Sequence, residues 1–387
     1  MWTTLVFGGA AALLFAMTLS ALYHLRWVHR LPSLAALDDE STASSRPPPR
    51  CSIVIAARDE EARIEQTVLH ALDQRGVEIE VIVVDDRSTD RTAEILQRLS
   101  KADARLSVKR VESLPDGWLG KCHACHLGAS SGSGDWILFM DADCWLKADV
   151  LARAIHVAER DKADHITIGP TVAGQTSAAQ AWHLAFLVTA AGWMSGVNRD
   201  RPKAHLGVGA FNLVRASAYR DCGGYEALRL ATVDDVKLGL LLRRAGKRTR
   251  AFIGGGDVEC HWGTTVRGLV QIVEKNFFAA LEFRLGVVLL VGLVGAILIA
   301  AAFIGPLTRT PAGIAAGLGG LSLIVPAAGF ADRLGVPRRR ALLMPFVYPM
   351  LLFAMFNSTW VTLRQGGIKW RDTFYSLAKL RAGNVRW

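Results

Sequence analysis

No lysine, arginine, aspartate or glutamate precedes Arg26, and that absence sets the first expectation. A cleavable signal peptide carries its positive charges ahead of its apolar run, whereas here Arg26 and Arg30 follow an uncharged stretch from Met1 to Tyr23. At 1.5 Å per residue the stretch can cross a hydrocarbon core of roughly 30 Å, so residues 1–25 are expected to be an anchor with its N-terminus outside. Cysteine is also sparse. Six thiols (Cys51, Cys122, Cys125, Cys144, Cys222, Cys260) scattered over 387 residues exclude a disulfide framework and favour reduced, structural cysteines. Acids are outnumbered, 35 against 45 lysines and arginines, for a net charge of +10. With 51% hydrophobic residues, that excess fits the basic flanks of cytoplasmic membrane loops better than nucleic-acid binding.

What is present divides the chain. Residues 26–50 are expected to be a linker, extended where it ends in Arg46-Pro-Pro-Pro-Arg50. From 51 to 257, short β-branched apolar runs alternate with amphipathic stretches, the α/β signature. Ser52–Ala56 and Ile79–Val84 read as strands, and Glu60–Leu72 and Thr89–Ser100 as helices, which predicts parallel pairing of those strands. Ligands of such sheets bind beyond the carboxyl ends of the strands. There the chain puts Ala57-Arg58-Asp59-Glu60, then Asp85-Asp86, then Asp141 and Asp143 at the end of the run Trp136–Met140. Two acids spaced i, i+2 at a strand end can both turn toward a hard cation, and carboxylates suit Mg²⁺ or Mn²⁺. Ser88 or Asp90 is expected to cap the next helix, a role that leaves the acidic pair before it unexplained.

Leu114–His126 contains Cys-x-x-Cys-His, nominally a haem-attachment signature, but the expected cytoplasmic side disfavours covalent haem. Zinc there needs two further ligands, and only distant candidates such as Cys260 and His261 remain. Lys121, a point charge after a glycine, is the stronger candidate, as a phosphate contact. Gly207–Arg215 and Cys222-Gly-Gly-Tyr225 place permissive backbone beside strand-like residues. Asp234 and Asp235 open an apolar-periodic helix that ends in basic residues; the helix start alone explains acids there, and a carboxylate so held also suits a general base.

Taken together, Ile53–Glu61, Val83–Thr92, Asp141-Ala-Asp143 and Asp234-Asp235-x-x-Leu238 resemble, in order and separation, the family 2 glycosyltransferases. The resemblance implies a GT-A (nucleotide-diphospho-sugar transferase) fold, a Rossmann-like mixed α/β sheet, here with flanking transmembrane helices. Gly117-Trp-Leu-Gly-Lys121 and the membrane layout look like the hopanoid- and carotenoid-associated branch. It implies a nucleotide-sugar site at Ala57, Arg58, Glu60, Asp85, Asp86, Lys121 and Asp141, with Mn²⁺ or Mg²⁺ on Asp141 and Asp143. Asp235, with Asp234, would be the catalytic base. The activity implied is inverting transfer of one sugar, from a UDP-sugar by expectation, to a membrane-lipid hydroxyl at the cytoplasmic face of a bacterial inner membrane. Asp234 stands where the family usually has Glu, and the Gln/Arg-x-x-Arg-Trp motif of processive members has only Leu281-Glu-Phe-Arg284 in its neighbourhood. That weakens the rival polysaccharide-synthase reading, while the intact acids oppose a silent scaffold.

Residues 258–284 are expected to lie as amphipathic helices at the bilayer surface. Apolar stretches at 286–307, 311–331 and 341–363 form a membrane region, 285–363, before a basic tail, 364–387. The loop Arg333–Arg340 and the tail are both basic, so a last stretch broken at Pro345 and Pro349, or re-entrant, is expected, with the tail cytoplasmic.

Overall fold

The computed structural model describes residues 2–33, 36 and 47–386; residues 34, 35 and 37–46 of the expected linker lie outside them. The chain forms two units. One comprises 29–173, 196–262 and 383–387, the other 1–28, 174–195 and 263–382.

The first unit is built on an eight-stranded sheet in the order His29–Arg30, Thr249–Ile253, His165–Gly169, Asn212–Arg215, Trp136–Asp141, Arg50–Ala57, Glu78–Asp86 and Leu106–Val111. Arg50–Ala57 pairs in parallel with both Trp136–Asp141 and Glu78–Asp86, which brings Ala56 level with Asp141 and Ala57 level with Asp85. The acids therefore collect at one edge, as the strand pattern predicts. Ile53, Ile55, Val81, Val83, Leu138 and Met140 are buried on one face of these strands and Val54, Ile82 and Val84 on the other, because side chains on both faces of a covered sheet must be apolar. One strand makes the sheet mixed, as the resemblance implied. Asn212–Arg215 runs antiparallel to both of its neighbours, so it begins where they end, and Gly207–Gly209 just before it meets the acidic edge.

Local boundaries also differ from the sequence reading. The helix expected over Glu60–Leu72 is Ile64–Leu72, because Glu60–Arg63 is a turn tied down by the Glu60 N–H donating to Thr92 Oγ1 at 2.8 Å. Asp90 does act at a helix start, accepting from the Thr92 N–H at 2.9 Å. Val258–Cys260, expected to begin the interfacial stretch, is instead a strand of a small second sheet with Cys144–Leu146 and Thr171–Val172. After it come two short helices, Val266–Val273 and Phe277–Ala280.

Four helices of the described residues are long and apolar enough to cross a membrane: Trp2–Leu25, Leu285–Thr308, Pro311–Leu334 and Arg338–Gln365. Trp2–Leu25 and Pro311–Leu334 run in the same direction. Leu14 packs on Gly319, Thr18 Oγ1 meets Ser322 Oγ at 2.7 Å, and Arg333 Nε donates to the Val28 carbonyl at 2.6 Å. Small residues permit this approach, as in the cluster Ala10, Ala11, Ala301 and Ala316. The backbone break falls at Leu323, one turn before Pro326, which cannot donate to the Ser322 carbonyl. Met344–Gln365, by contrast, is one unbroken helix. Pro345 sits in its first turn, where no N–H is missed, and Pro349 is accommodated inside. This helix runs opposite to Leu285–Ile304: the rings of Phe303 and Phe346 lie 5.9 Å apart, and Ser358 Oγ accepts from the Phe278 N–H at 3.0 Å.

Candidate active site

Three carboxylates and one ammonium converge at the strand edge. Lys121 Nζ lies 2.6 Å from Asp141 Oδ1 and 3.7 Å from Asp234 Oδ2. Lys121 stands in the first turn of the helix Gly120–Ser131, 23% exposed, and Asp141 is 32% exposed, so both can be reached from outside. Burial alone would lower the Lys121 pKa, yet Asp141, Asp234 and Asp235 together hold it well above the usual lysine value. It is a permanent cation.

Gly209 joins the two sides. Its carbonyl accepts from the Asp141 N–H at 2.9 Å, and its own N–H donates to Asp235 Oδ2 at 2.8 Å. A Cβ at this position would lie 2.6 Å from Asp141 Oδ2, so only glycine lets both carboxylates approach. Asp235 Oδ1 also takes the Val236 N–H at 2.8 Å, which shows that the helix-start role of this acid is real. Burial, then the neighbouring Asp234, pushes Asp235 up to about 6, against the pull of Lys121. Asp234 has a different environment, accepting from the Tyr225 hydroxyl at 3.0 Å.

Asp143 is likewise pushed up to about 6, by burial and by Asp141, with Arg63 opposing. Two neighbouring carboxylates, one costly to ionise in its present surroundings, are an oxygen donor set that fits a hard divalent cation. Mn²⁺ or Mg²⁺ would be held by Asp141 and Asp143.

The nucleotide-side candidates sit one strand further on. Asp85 and Asp86 are buried at the end of Glu78–Asp86. Asp86 accepts from Arg87 Nε at 2.8 Å and lies 3.7 Å from Arg58 Nη1. Asp85 Oδ1 takes the Ser88 N–H at 3.0 Å, while its buried Oδ2 accepts no hydrogen bond among the described residues. That oxygen lies 4.0 Å from Arg110 Nε, an ion-pair contact beyond hydrogen-bond reach, so it still fits a ligand donor such as a nucleoside N–H or O–H. Ala57 is 1% exposed, leaving its side chain no surface to offer.

Sequence reasoning gave no role to Tyr225, Gly209 or Arg87. Gly207–Arg215 and Cys222–Tyr225 stood out only as permissive backbone; nothing local tells that they touch acids 26 and 9 residues away. Cys122 and Cys125 are buried inside the Gly120–Ser131 helix, Cys122 Sγ donating to the Ala231 carbonyl at 3.5 Å, so Cys-x-x-Cys-His here is core.

Comparison with known proteins assigns the family of the domain that carries this edge. Residues 52–223 match the model described as Glycosyl transferase family 2. These residues are a family 2 glycosyltransferase domain. Its curated relatives include two proteins named 4,4'-diaponeurosporenoate glycosyltransferase. The one from Staphylococcus haemolyticus (strain JCSC1435) is 39% identical over 104 residues and that from Staphylococcus aureus (strain USA300) 37% over 106; each match covers 27% of this chain and 27% of the relative. The chain thus spans about a quarter of the length of the curated relatives it matches. Among solved structures, the mannosyltransferase PcManGT from Pyrobaculum calidifontis, in complex with GDP-Man and Mn²⁺, aligns with a TM-score of 0.50 at 16% identity, over 92% of this chain and 98% of that one. That likeness gives the glycosyltransferase domain its GT-A fold.

Proposed function

We propose that this glycosyltransferase transfers a single sugar, with inversion, from a nucleotide-diphosphate sugar to a hydroxyl of a membrane lipid. The observation that carries the reading is the Gly209 bridge, which holds Asp235 beside Asp141. Asp235 takes the acceptor proton on Oδ1 or Oδ2, and its elevated pKa of about 6 keeps it basic enough for that task while ionised at neutral pH. The Tyr225 hydroxyl and Lys121 hold Asp234 at the root of the same helix turn. Lys121 faces the leaving diphosphate as a fixed positive charge. Asp85 and Asp86 hold the nucleoside, and Arg58 and Glu60 flank it. When bound, Mn²⁺ or Mg²⁺ at Asp141 and Asp143 supplies charge neutralisation for the diphosphate. UDP is the donor nucleotide this reading favours. The relatives' names support an isoprenoid-type acceptor at low overlap.

The reading includes an inner-membrane location with the catalytic domain cytoplasmic. Arg333 sits level with Val28, three residues past the end of Trp2–Leu25, and Ser358 sits beside Phe278, ahead of the helix Leu285–Ile304. Between them the chain climbs to Phe303 and returns. We therefore read Arg338–Gln365 as a re-entrant passage, which leaves both the Arg333–Arg340 loop and the tail cytoplasmic. Lys237 of the helix Asp234–Arg244 donates to the Val385 carbonyl, in keeping with a tail on the catalytic side.

The test is mass spectrometry of lipids from membranes with and without this protein, supplied with a panel of nucleotide sugars and Mn²⁺ or Mg²⁺. A new lipid heavier by one sugar is expected. A ladder of increasing length would instead indicate a polymerase, and no product with any donor would overturn the reading.

A further inference from the structure

Outside the roles assigned so far, the small three-stranded sheet brings together residues 116 positions apart. Val258–Cys260 pairs antiparallel with Cys144–Leu146, and Cys260 stands directly opposite Cys144. The His261 N–H donates to the Asp143 carbonyl at 3.0 Å, so the ladder bonds flank the cysteine pair rather than join it. That makes it a non-hydrogen-bonded pair, the kind whose Cα atoms lie closest and whose side chains project to one face. Cys144 Sγ in turn donates to Asp143 Oδ1 at 3.7 Å. Both sulfur atoms and a carboxylate oxygen of Asp143 lie within 4.8 Å of one another. The two thiols are buried, while Asp143 is half-buried.

Ordinary core packing accounts for one buried thiol easily. It does not account for two on facing strands with a carboxylate completing a triangle. Two sulfurs and one oxygen at this spacing match the ligand types and number of a tetrahedral site with an open fourth position, and thiolates select a borderline-soft cation over Mg²⁺ or Mn²⁺. The zinc partner that the sequence suggested for Cys122 and Cys125, Cys260, is committed instead to Cys144.

We propose that Asp143, Cys144 and Cys260 form a site for one thiophilic divalent cation, Zn²⁺ in particular, which shares Asp143 with the hard cation of the sugar-transfer site. On binding, two S–H bonds break, two metal–sulfur bonds form and two protons pass to solvent, with no change of oxidation state. Zn²⁺ occupancy removes Asp143 from the Asp141–Asp143 pair and inhibits transfer. This inhibitory consequence rests on the proposed function; the ligand set does not.

The deciding measurement is zinc-edge X-ray absorption of the full chain, reduced and in detergent, with one equivalent of Zn²⁺ and no Mn²⁺. Two sulfur scatterers at about 2.3 Å with oxygen or nitrogen at about 2.0–2.2 Å are expected. Cys144→Ser and Cys260→Ser should each leave one sulfur, and Cys122→Ala/Cys125→Ala should keep both. A shell without sulfur, or a two-sulfur shell that survives Cys144→Ser and Cys260→Ser, would overturn the site. The single serine variants change one atom each, so the sulfur count is read on folded protein. In parallel, Zn²⁺ should compete with Mn²⁺ in the transfer assay. Two sulfurs without that competition would leave the site standing and remove Asp143 from the donor-cation role.

Discussion

Asp85-Asp86 and Asp234-Asp235 are the same dipeptide, and the fold makes them chemically unlike. The first pair ends a strand among cations: Arg87 and Arg58 face Asp86, and the Ser88 amide takes one oxygen of Asp85. The second pair opens a helix, receives the Tyr225 hydroxyl and the Gly209 amide, and shares one cation, Lys121, with Asp141. Charge neutralised on the spot suits an acid that holds a ligand. Charge left costly, as at Asp235 near pKa 6, suits an acid that takes a proton. Adjacent acids therefore carry no fixed role until the groups folded around them are known.

The contrast breaks most sharply at Asp235. Asp235→Asn should lower kcat by about 10²–10⁴-fold while nucleotide affinity by calorimetry stays near wild type. Loss of nucleotide binding instead would place Asp235 with the first pair. In the unmutated protein the proposed base would act only when deprotonated, and the Asp235 pKa is raised rather than lowered. Transfer should therefore fall as pH drops through about 6, and a rate flat from pH 7 to 5 would count against the assignment.

Next comes the bridge. Gly209→Ala puts a methyl 2.6 Å from Asp141 Oδ2 and should cost about 10²-fold in kcat through misplacement alone, with the thermal melting of the chain changed far less. A variant as active as wild type would mean that the two carboxylates need not share that glycine. Tyr225→Phe removes the hydroxyl from Asp234 and leaves the Lys121 ammonium 3.7 Å away; about 10-fold in kcat is expected, the worth of a hydrogen bond to a charged group. The smallest effect belongs to the first pair. Arg87→Ala keeps Arg58 near Asp86 and should raise the donor KM about fivefold or less, with kcat unchanged. A fall in kcat there would erase the distinction between the pairs.

Much of this was legible because the signals are local. The strands before Ala57, Asp85 and Asp141 announce themselves by β-branched runs, and parallel pairing then forces their carboxyl ends, with the acids, to one edge. The reversed strand Asn212–Arg215 was not legible as reversed, since a short apolar run looks the same in either direction. Its direction is what brings Gly209 to Asp141. Val258–Cys260 was missed for a similar reason: three residues are too few to show a period, and their strand character comes from the partner Cys144–Leu146. In the helical unit, the prolines suggested a break in the last apolar stretch, but a proline in a first turn has no bond to lose, and the break went to Leu323 instead.

By itself, then, the sequence determined the α/β order, the acids at the strand ends, Lys121 as a cation near them and the four apolar segments, because each is written in residue type and spacing of a few positions. Only the tertiary structure decided which acid meets which partner: Gly209 between Asp141 and Asp235, Tyr225 on Asp234, Cys260 against Cys144. Those pairings follow from strand direction and register, which depend on the packing of segments tens to more than a hundred residues apart.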